Sequence, residues 1–160
     1  MKAIYPGSFD PITLGHLDII YRAAELFDSV VIVVMQNADK QGLFTKQERV
    51  AMIEESVRGL NNVTVAIGEG LTVDFARKLN AKVLVRGIRA VTDYEYEMQM
   101  ATANMTLAPE LTTVFLVAKP EYSFLSSSIA KDIAKNGGAL DDFVPPCVEE
   151  KLTEKFRPER

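Results

Sequence analysis

Five short runs of β-branched and apolar residues, each separated from the next by helical spacing, constrain this chain more than any other feature. They lie near 2–5 (KAIY), 30–35 (VVIVVM), 63–67 (VTVAI), 82–86 (KVLVR) and 113–117 (TVFLV). Runs that stay apolar at successive positions offer no polar face to water, so they suit a parallel sheet covered on both sides. Between them, LGHLDIIYRAAELF puts Leu17, Ile20, Ala24 and Phe27 at helical intervals. TKQERVAMIEESV opens on Thr45 with Glu48 three residues on, a capping-box pattern. LTVDFARKL and a longer run from about 92 to 107 also read as helices. After the last strand, SSSIAKDIAKN begins on caps and stops at Gly137-Gly138, and PPCVEEKLTEKF opens with prolines and gives a final helix. Strand–helix alternation predicts right-handed βαβ crossovers, hence an α/β fold with a doubly wound parallel five-stranded sheet. With 160 residues, one domain spanning 1–160 is expected.

In such a sheet, ligands sit beyond the carboxyl ends of the strands, near the point where strand order reverses. The unusual residues of this chain follow the strand ends. PGSFD follows the first strand, NADK the second, and RGIR ends the fourth; YSFLSSS follows the fifth and opens a helix. The stretch YPGSFDPITLGH is over-furnished for a plain connection, which needs a few residues and one cap.

Two common phosphate motifs are missing. No G-x-x-x-x-G-K-[ST] occurs, and the first strand is not followed by G-x-G-x-x-G. What stands there instead is Thr13-Leu14-Gly15-His16. In the first turn of a helix, the unpaired N–H groups attract anions, and Gly15 lets a phosphate or a flat base approach the backbone. His16, the one histidine, adds a donor whose bond strengthens as charge builds on a phosphoryl oxygen; a capping histidine is the structural alternative. Arg86-Gly87-Ile88-Arg89 ends an apolar strand with two charged forks around a glycine, which suits polyphosphate. Ser8 and Lys40, each ordinary alone, fall at the same sheet edge. Ser126-Ser127-Ser128 is either an overbuilt N-cap or a second helix start offering hydroxyls and amides to phosphate.

Composition narrows the function further. A net charge of −4 argues against a polyanion-binding surface over the whole molecule but leaves room for a local basic pocket. One cysteine, Cys147, rules out an internal disulfide framework and a multi-cysteine zinc site, and fits a reducing, cytoplasmic setting. The N-terminus MKAIYPG has no long apolar h-region, and VVIVVM is too short to span a bilayer, so neither secretion nor a membrane is expected.

YPGSFDPITLGH, LVRGIRAVTDYEYEMQ and YSFLSSSIAKDIA occur in that order, and with them the chain resembles the bacterial phosphopantetheine adenylyltransferases along essentially its whole length. The T-x-G-H element marks a wider nucleotidylyltransferase superfamily; RGIRAVTDYEYE with SFLSSS is much more specific. The resemblance implies a Rossmann-like fold with helices on both faces of the sheet, and transfer of an adenylyl group from ATP to 4′-phosphopantetheine, giving dephospho-coenzyme A and pyrophosphate. It implies that His16 stabilises the transition state and that Lys40 and Arg89 share the catalytic work. It places Ser8, Phe9, His16, Gly87, Ile88, Arg89, Glu97 and the stretch Tyr122, Ser123, Phe124, Leu125, Ser126, Ser127 and Ser128 on ATP. Ser8, Lys40, Thr72 and Arg86 fall on phosphopantetheine, Thr72 at a position whose side chain varies. The sequence departs from some relatives at Gln41 and Gly42, where they carry a second lysine and a proline.

The 4′-phosphate is already an anionic nucleophile, so the reaction expected is in-line attack on the α-phosphorus without a Ser-His-Asp relay. Catalysis then rests on holding two polyanions together and stabilising charge on the α-phosphate. Mg²⁺ is the expected cofactor, carried mainly by the triphosphate, since no carboxylate cage is evident in the sequence. The resemblance further implies a homohexamer and feedback by coenzyme A, with no nucleic-acid partner. DYEYEMQMATANM carries an aromatic and methionine stripe that is either internal core or an interface. Two other functions compete: a related enzyme using nicotinate mononucleotide or glycerol phosphate as acceptor, and a non-catalytic ATP-binding sensor.

Overall fold

A computed structural model of the chain describes residues 1–36 and 41–158. Its elements run β1 (Lys2–Gly7), α1 (Leu14–Leu26), β2 (Ser29–Met35), α2 (Lys46–Ser56), β3 (Val63–Gly68), α3 (Thr72–Lys78), β4 (Val83–Ile88), α4 (Val91–Leu107), β5 (Thr112–Val117), a single 3₁₀ turn (Pro120–Tyr122), α5 (Ser127–Lys135) and α6 (Pro146–Phe156). The strands form one sheet in the order β3-β2-β1-β4-β5, and every neighbouring pair is parallel. This is the doubly wound arrangement expected from the alternation, with strand order reversing between β1 and β4.

The core explains why the strands are apolar at consecutive positions. Ala3, Tyr5, Val30, Ile32, Val34, Val83 and Val85 point to one side of the sheet and pack with Ile19, Ile20 and Ala23 of α1, Met52 and Ile53 of α2, and Val148 and Leu152 of α6. Ile4, Val31, Val33 and Leu84 point to the other side, against Val73 and Ala76 of α3 and against Ala108 and Leu111. Alternate residues of the inner strands therefore meet different helices, and β1, β2 and β4 are largely buried while the edge strands β3 and β5 are partly exposed.

The first and fourth strands run two residues further than their apolar runs suggest, to Gly7 and Ile88. For β1 the reason is its pairing. It stays in register with β2 from Lys2↔Ser29 through Gly7↔Val34, but pairs with β4 only at Ala3↔Val83 and Ile4↔Leu84. Beyond Ile4 a split opens between β1 and β4. Pro6 lies inside that split, and its carbonyl accepts from Nη1 of Arg86. The N–H that proline lacks would face the same gap, so no ladder bond is lost and a proline is tolerated in a central strand.

Two helices carry the expected start signals. Thr45 and Glu48 form the reciprocal capping box on α2. On α1 the same box appears with an unexpected member: Thr13 is the N-cap and His16 takes the place normally held by a glutamate or glutamine.

Candidate active site

The split between β1 and β4 opens into two adjoining clefts. One, of about 280 Å³, lies over the start of α1 and is closed by the segment before α5. The other, of about 360 Å³, lies between β1, β4 and α4 and reaches the start of α3. They share one wall, made by Pro6, Gly7, Ser8, Arg86 and Glu97.

His16 enters the first cleft from the first turn of α1. Its Nδ1 accepts from the backbone N–H of Thr13 at 3.0 Å and lies 3.1 Å from the Thr13 hydroxyl. A ring nitrogen that accepts from a backbone N–H carries no hydrogen, so the neutral imidazole bears its hydrogen on Nε2. Burial, then the charges of Arg89 and Arg86, push the His16 pKa down to about 4. The imidazole is consequently neutral at pH 7 and offers one fixed donor. The Phe9 ring stands edge-on to it with centroids 5.0 Å apart, and edge-on to Tyr5 at 5.3 Å. Phe9 is a buried non-glycine residue at φ +48°, a strained backbone conformation held by the packing of that ring.

Both arginines are already engaged. Arg86 donates from Nε and Nη2 to the two carboxylate oxygens of Glu97 at 2.9 and 2.7 Å. Burial opposes the charge on Arg86, and the hydrogen bonds and charge of Glu97 outweigh it, so its pKa is raised. Arg89 donates from Nε to Asp93 at 3.0 Å and from Nη1 to the carbonyl of Leu125, tying the start of α4 to the segment before α5. Gly87 sits between them where a Cβ would come within 3.2 Å of Ile19 Cγ1 on α1, so the strand end can lie close to the helix only without a side chain.

On the far side, Ser126 caps α5 by accepting from the N–H of Ile129, and the Ser127 hydroxyl donates to the carbonyl of Pro11 at 2.7 Å. The structure shows the capping alternative for the serine run: these hydroxyls build the loop, while Ser126 and Ser127 also line the cleft.

The first cleft thus gathers Ser8, Phe9, His16, Arg86, Gly87, Arg89, Glu97, Tyr122, Leu125, Ser126 and Ser127. The second gathers Ser8, Thr72, Arg86 and Glu97. Four of the residues expected on ATP do not line either cleft. Ile88 is buried, with its carbonyl accepting from Ala118. Ser123 bonds back to Pro120, Phe124 stands edge-on to Phe143, and Ser128 is exposed. Lys40 lies outside the described residues.

Sequence reasoning missed several groups that build this site. Thr13 fixes the His16 tautomer; the T-x-x-H spacing was the available signal, hidden because histidine replaces the usual glutamate. Asp93 and Tyr5 line the first cleft, and nothing local to either residue marks it. Asp10 and Arg49 are both buried and paired at 3.4 Å. Asp10 accepts from the N–H groups of Leu43 and Phe44 at 2.8 and 2.9 Å, while Arg49 donates to the carbonyls of Phe44 and Ser8. This pair clamps the segment after β2 to the end of β1. It also accounts for Gly42, where a Cβ would fall inside the Arg49 guanidinium and 2.7 Å from Asp10 Oδ2.

Among the described residues, no three His, Cys, Asp or Glu side chains converge to hold a metal ion.

Residues 4–133 match the cytidylyltransferase-like family model. The phosphopantetheine adenylyltransferase of Gloeobacter violaceus is 54% identical over 156 residues, covering 98% of this chain and 97% of that protein. The one from Dictyoglomus thermophilum is 49% identical over 156 residues, covering 98% and 95%. The chain belongs to the phosphopantetheine adenylyltransferase family. Its backbone also matches more distant solved structures. A Vibrio parahaemolyticus protein provisionally assigned as a nicotinate-nucleotide adenylyltransferase aligns with a TM-score of 0.74 at 17% identity, over 98% of this chain and 96% of that one. A bifunctional NMN adenylyltransferase/ADP ribose pyrophosphatase from Francisella tularensis gives 0.74 at 17% identity over 99% of this chain and 50% of that one. At such identities these two speak for the fold alone. Within the phosphopantetheine adenylyltransferase family, the motifs from β1, β4 and the start of α5 converge here on one pair of clefts.

Proposed function

We infer that this chain transfers the adenylyl group of ATP to 4′-phosphopantetheine, giving dephospho-coenzyme A and pyrophosphate in coenzyme A biosynthesis. The observation that carries the reading is the shared wall: two clefts, each large enough for part of a substrate, meet at Ser8 and Arg86 where the strand order reverses. A bond formed between two bound phosphates needs such a meeting point. ATP occupies the first cleft, with Arg89, Gly87, Tyr122, Leu125, Ser126 and Ser127 around it. Phosphopantetheine occupies the second, with Thr72 at its far end and its 4′-phosphate between Ser8 and Arg86; Lys40 is proposed as a further phosphate contact from the family resemblance alone.

The 4′-phosphate oxygen forms the new bond to the α-phosphorus as the bond to the β-phosphate bridging oxygen breaks. Pyrophosphate leaves with that electron pair. His16 donates from Nε2 to an α-phosphoryl oxygen, and its fixed tautomer means that no reorientation is needed as charge accumulates there. Orientation of the two phosphates supplies much of the remainder. Mg²⁺ bound to the triphosphate would neutralise part of its charge. The residues fit a metal carried by phosphate oxygens: among the described residues the two carboxylates of the wall, Glu97 and Asp93, are paired with Arg86 and Arg89, and no three acidic groups converge.

Self-association, as a homohexamer, is also proposed. In α4 only Glu97 and Ala101 are buried, while Val91, Tyr94, Tyr96, Met98, Met100, Met105 and Leu107 are exposed. The methionine and aromatic stripe is thus not internal core, and an exposed apolar face of this size favours a partner. Feedback by coenzyme A follows from the same assignment, since it contains the phosphopantetheine arm. A cytoplasmic location is proposed on the single cysteine, Cys147. Among the described residues no helix is long and apolar enough to cross a membrane.

The test is pyrophosphate release when ATP is mixed with 4′-phosphopantetheine, nicotinate mononucleotide or glycerol phosphate. Release with the first alone is expected. Release with either of the others moves the chain to a different acceptor, and no release with any of them leaves an ATP-binding sensor.

A further inference from the structure

Tyr5 is the fourth residue of β1, and 6% of its surface is exposed. Its ring belongs to the core, packed edge-on against Phe9. Its hydroxyl is different. Among the described residues it has no hydrogen-bond partner, yet it is not one of the sealed polar atoms of the interior, because Tyr5 lines the first cleft. The hydroxyl lies 3.9 Å from the point where a Cβ on Gly87 would sit, and the ring centroid is 6.5 Å from that of His16. A phenol so deeply buried normally finds a partner for its O–H. A phenylalanine would fill the core equally well, so the oxygen has no packing role.

We propose that Tyr5 is a further nucleotide-binding residue, its hydroxyl donating to a phosphoryl oxygen of the nucleotide in the first cleft. The guanidinium groups of Arg86 and Arg89 flank the same space and make an anionic oxygen the fitting acceptor. Burial, opposed by the charge of Arg86, pushes the phenol up to about 12, so the group remains a donor throughout the range in which ATP is fully charged. The donor is held in place by a ring locked in the core, whereas Arg89 is a long side chain at the surface of the cleft. The identity of the nucleotide rests on the adenylyl-transfer reading.

The variant Tyr5→Phe removes one oxygen and keeps the ring. Titration calorimetry with ATP should give a Kd at least about tenfold weaker than wild type, the scale of a hydrogen bond to a charged group. Adenosine, which has no phosphate, should bind both proteins alike. Thermal unfolding should show the variant as stable as wild type or slightly more so, since an unpartnered hydroxyl is gone. An unchanged Kd for ATP would overturn the proposal, leaving the hydroxyl in contact with water only. An equal loss for adenosine would overturn the phosphate assignment. Pyrophosphate release by wild type with 4′-phosphopantetheine, run alongside, tells a failure of the adenylyl-transfer reading from a failure here, because ATP binding is measured without the acceptor.

Discussion

Arg86 and Glu97 meet in a two-pronged ion pair on the wall common to both clefts, with Nε–Oε2 at 2.9 Å and Nη2–Oε1 at 2.7 Å. Its place at a strand end marks Arg86 as a fork for phosphate, and the family resemblance implies an ATP contact for Glu97. In the folded chain each holds the other. Glu97, on α4, fixes the guanidinium that β4 presents, and the third attachment, to the carbonyl of Pro6, sets its height in the split. A 4′-phosphate arriving at Arg86 must use its remaining N–H groups or displace the carboxylate.

That relationship separates two roles for Glu97. If it positions Arg86, Glu97→Gln raises the KM for phosphopantetheine and leaves the Kd for ATP within about twofold. If it binds ATP directly, the Kd for ATP moves first. Loss of the partner also leaves a partly buried guanidinium uncompensated, and the variant is expected to be less stable by about 1–3 kcal/mol. Steady-state kinetics in both substrates, with ATP titrated separately, makes the distinction.

His16→Ala should slow turnover by about 10²–10³-fold, the usual cost of removing one transition-state donor, with much less change in ATP affinity. A turnover within about threefold of wild type would rule out that role.

His16 also predicts a stability profile. The unfolded chain takes up a proton on this residue near pH 6.5, the ordinary value, and the folded chain resists until about pH 4. Between those limits the unfolded state binds more protons, so stability falls as pH falls, by up to about 1.4 kcal/mol per unit. The contribution is fully present above pH 6.5 and lost by pH 4. Melting curves of wild type and His16→Gln should therefore run parallel above pH 7 and converge or cross below pH 6. Parallel curves throughout would show that the imidazole is not held neutral.

Gly42→Ala should destabilise the fold through the Asp10–Arg49 clamp. The new methyl would occupy the Arg49 guanidinium and force apart a buried pair that also holds Ser8 and Phe44. A loss of about 2 kcal/mol or more, a Tm lower by roughly 5 °C, is expected. An unchanged Tm would mean that the clamp yields without cost.

Met98 and Met100 are 46% and 43% exposed on α4. Met98→Glu should lower the mass measured by light scattering while leaving the thermal stability of the individual chain nearly unchanged, because neither methionine fills the core. Wild type that is monomeric at micromolar concentration would remove the interface.

Much of this molecule was legible in the sequence. The five strands follow from β-branched runs, the helix starts from Thr45 with Glu48 and from Ser126, and the sheet class from strict alternation, because each of these signals is local and repeats with the period of its element. Candidate residues at the strand ends were legible for the same reason: a parallel sheet puts all its carboxyl ends on one edge. What only the tertiary structure decided is which of them touch. The strand order β3-β2-β1-β4-β5 places Pro6 beside Arg86 across 80 residues. The early end of β1–β4 pairing opens the split that becomes the site. Arg86 with Glu97 and Asp10 with Arg49 are pairings of opposite charges, which carry no periodicity and many equivalent choices of partner in the chain. Strand order and side-chain direction select among them, and those are set by the packing of the whole core.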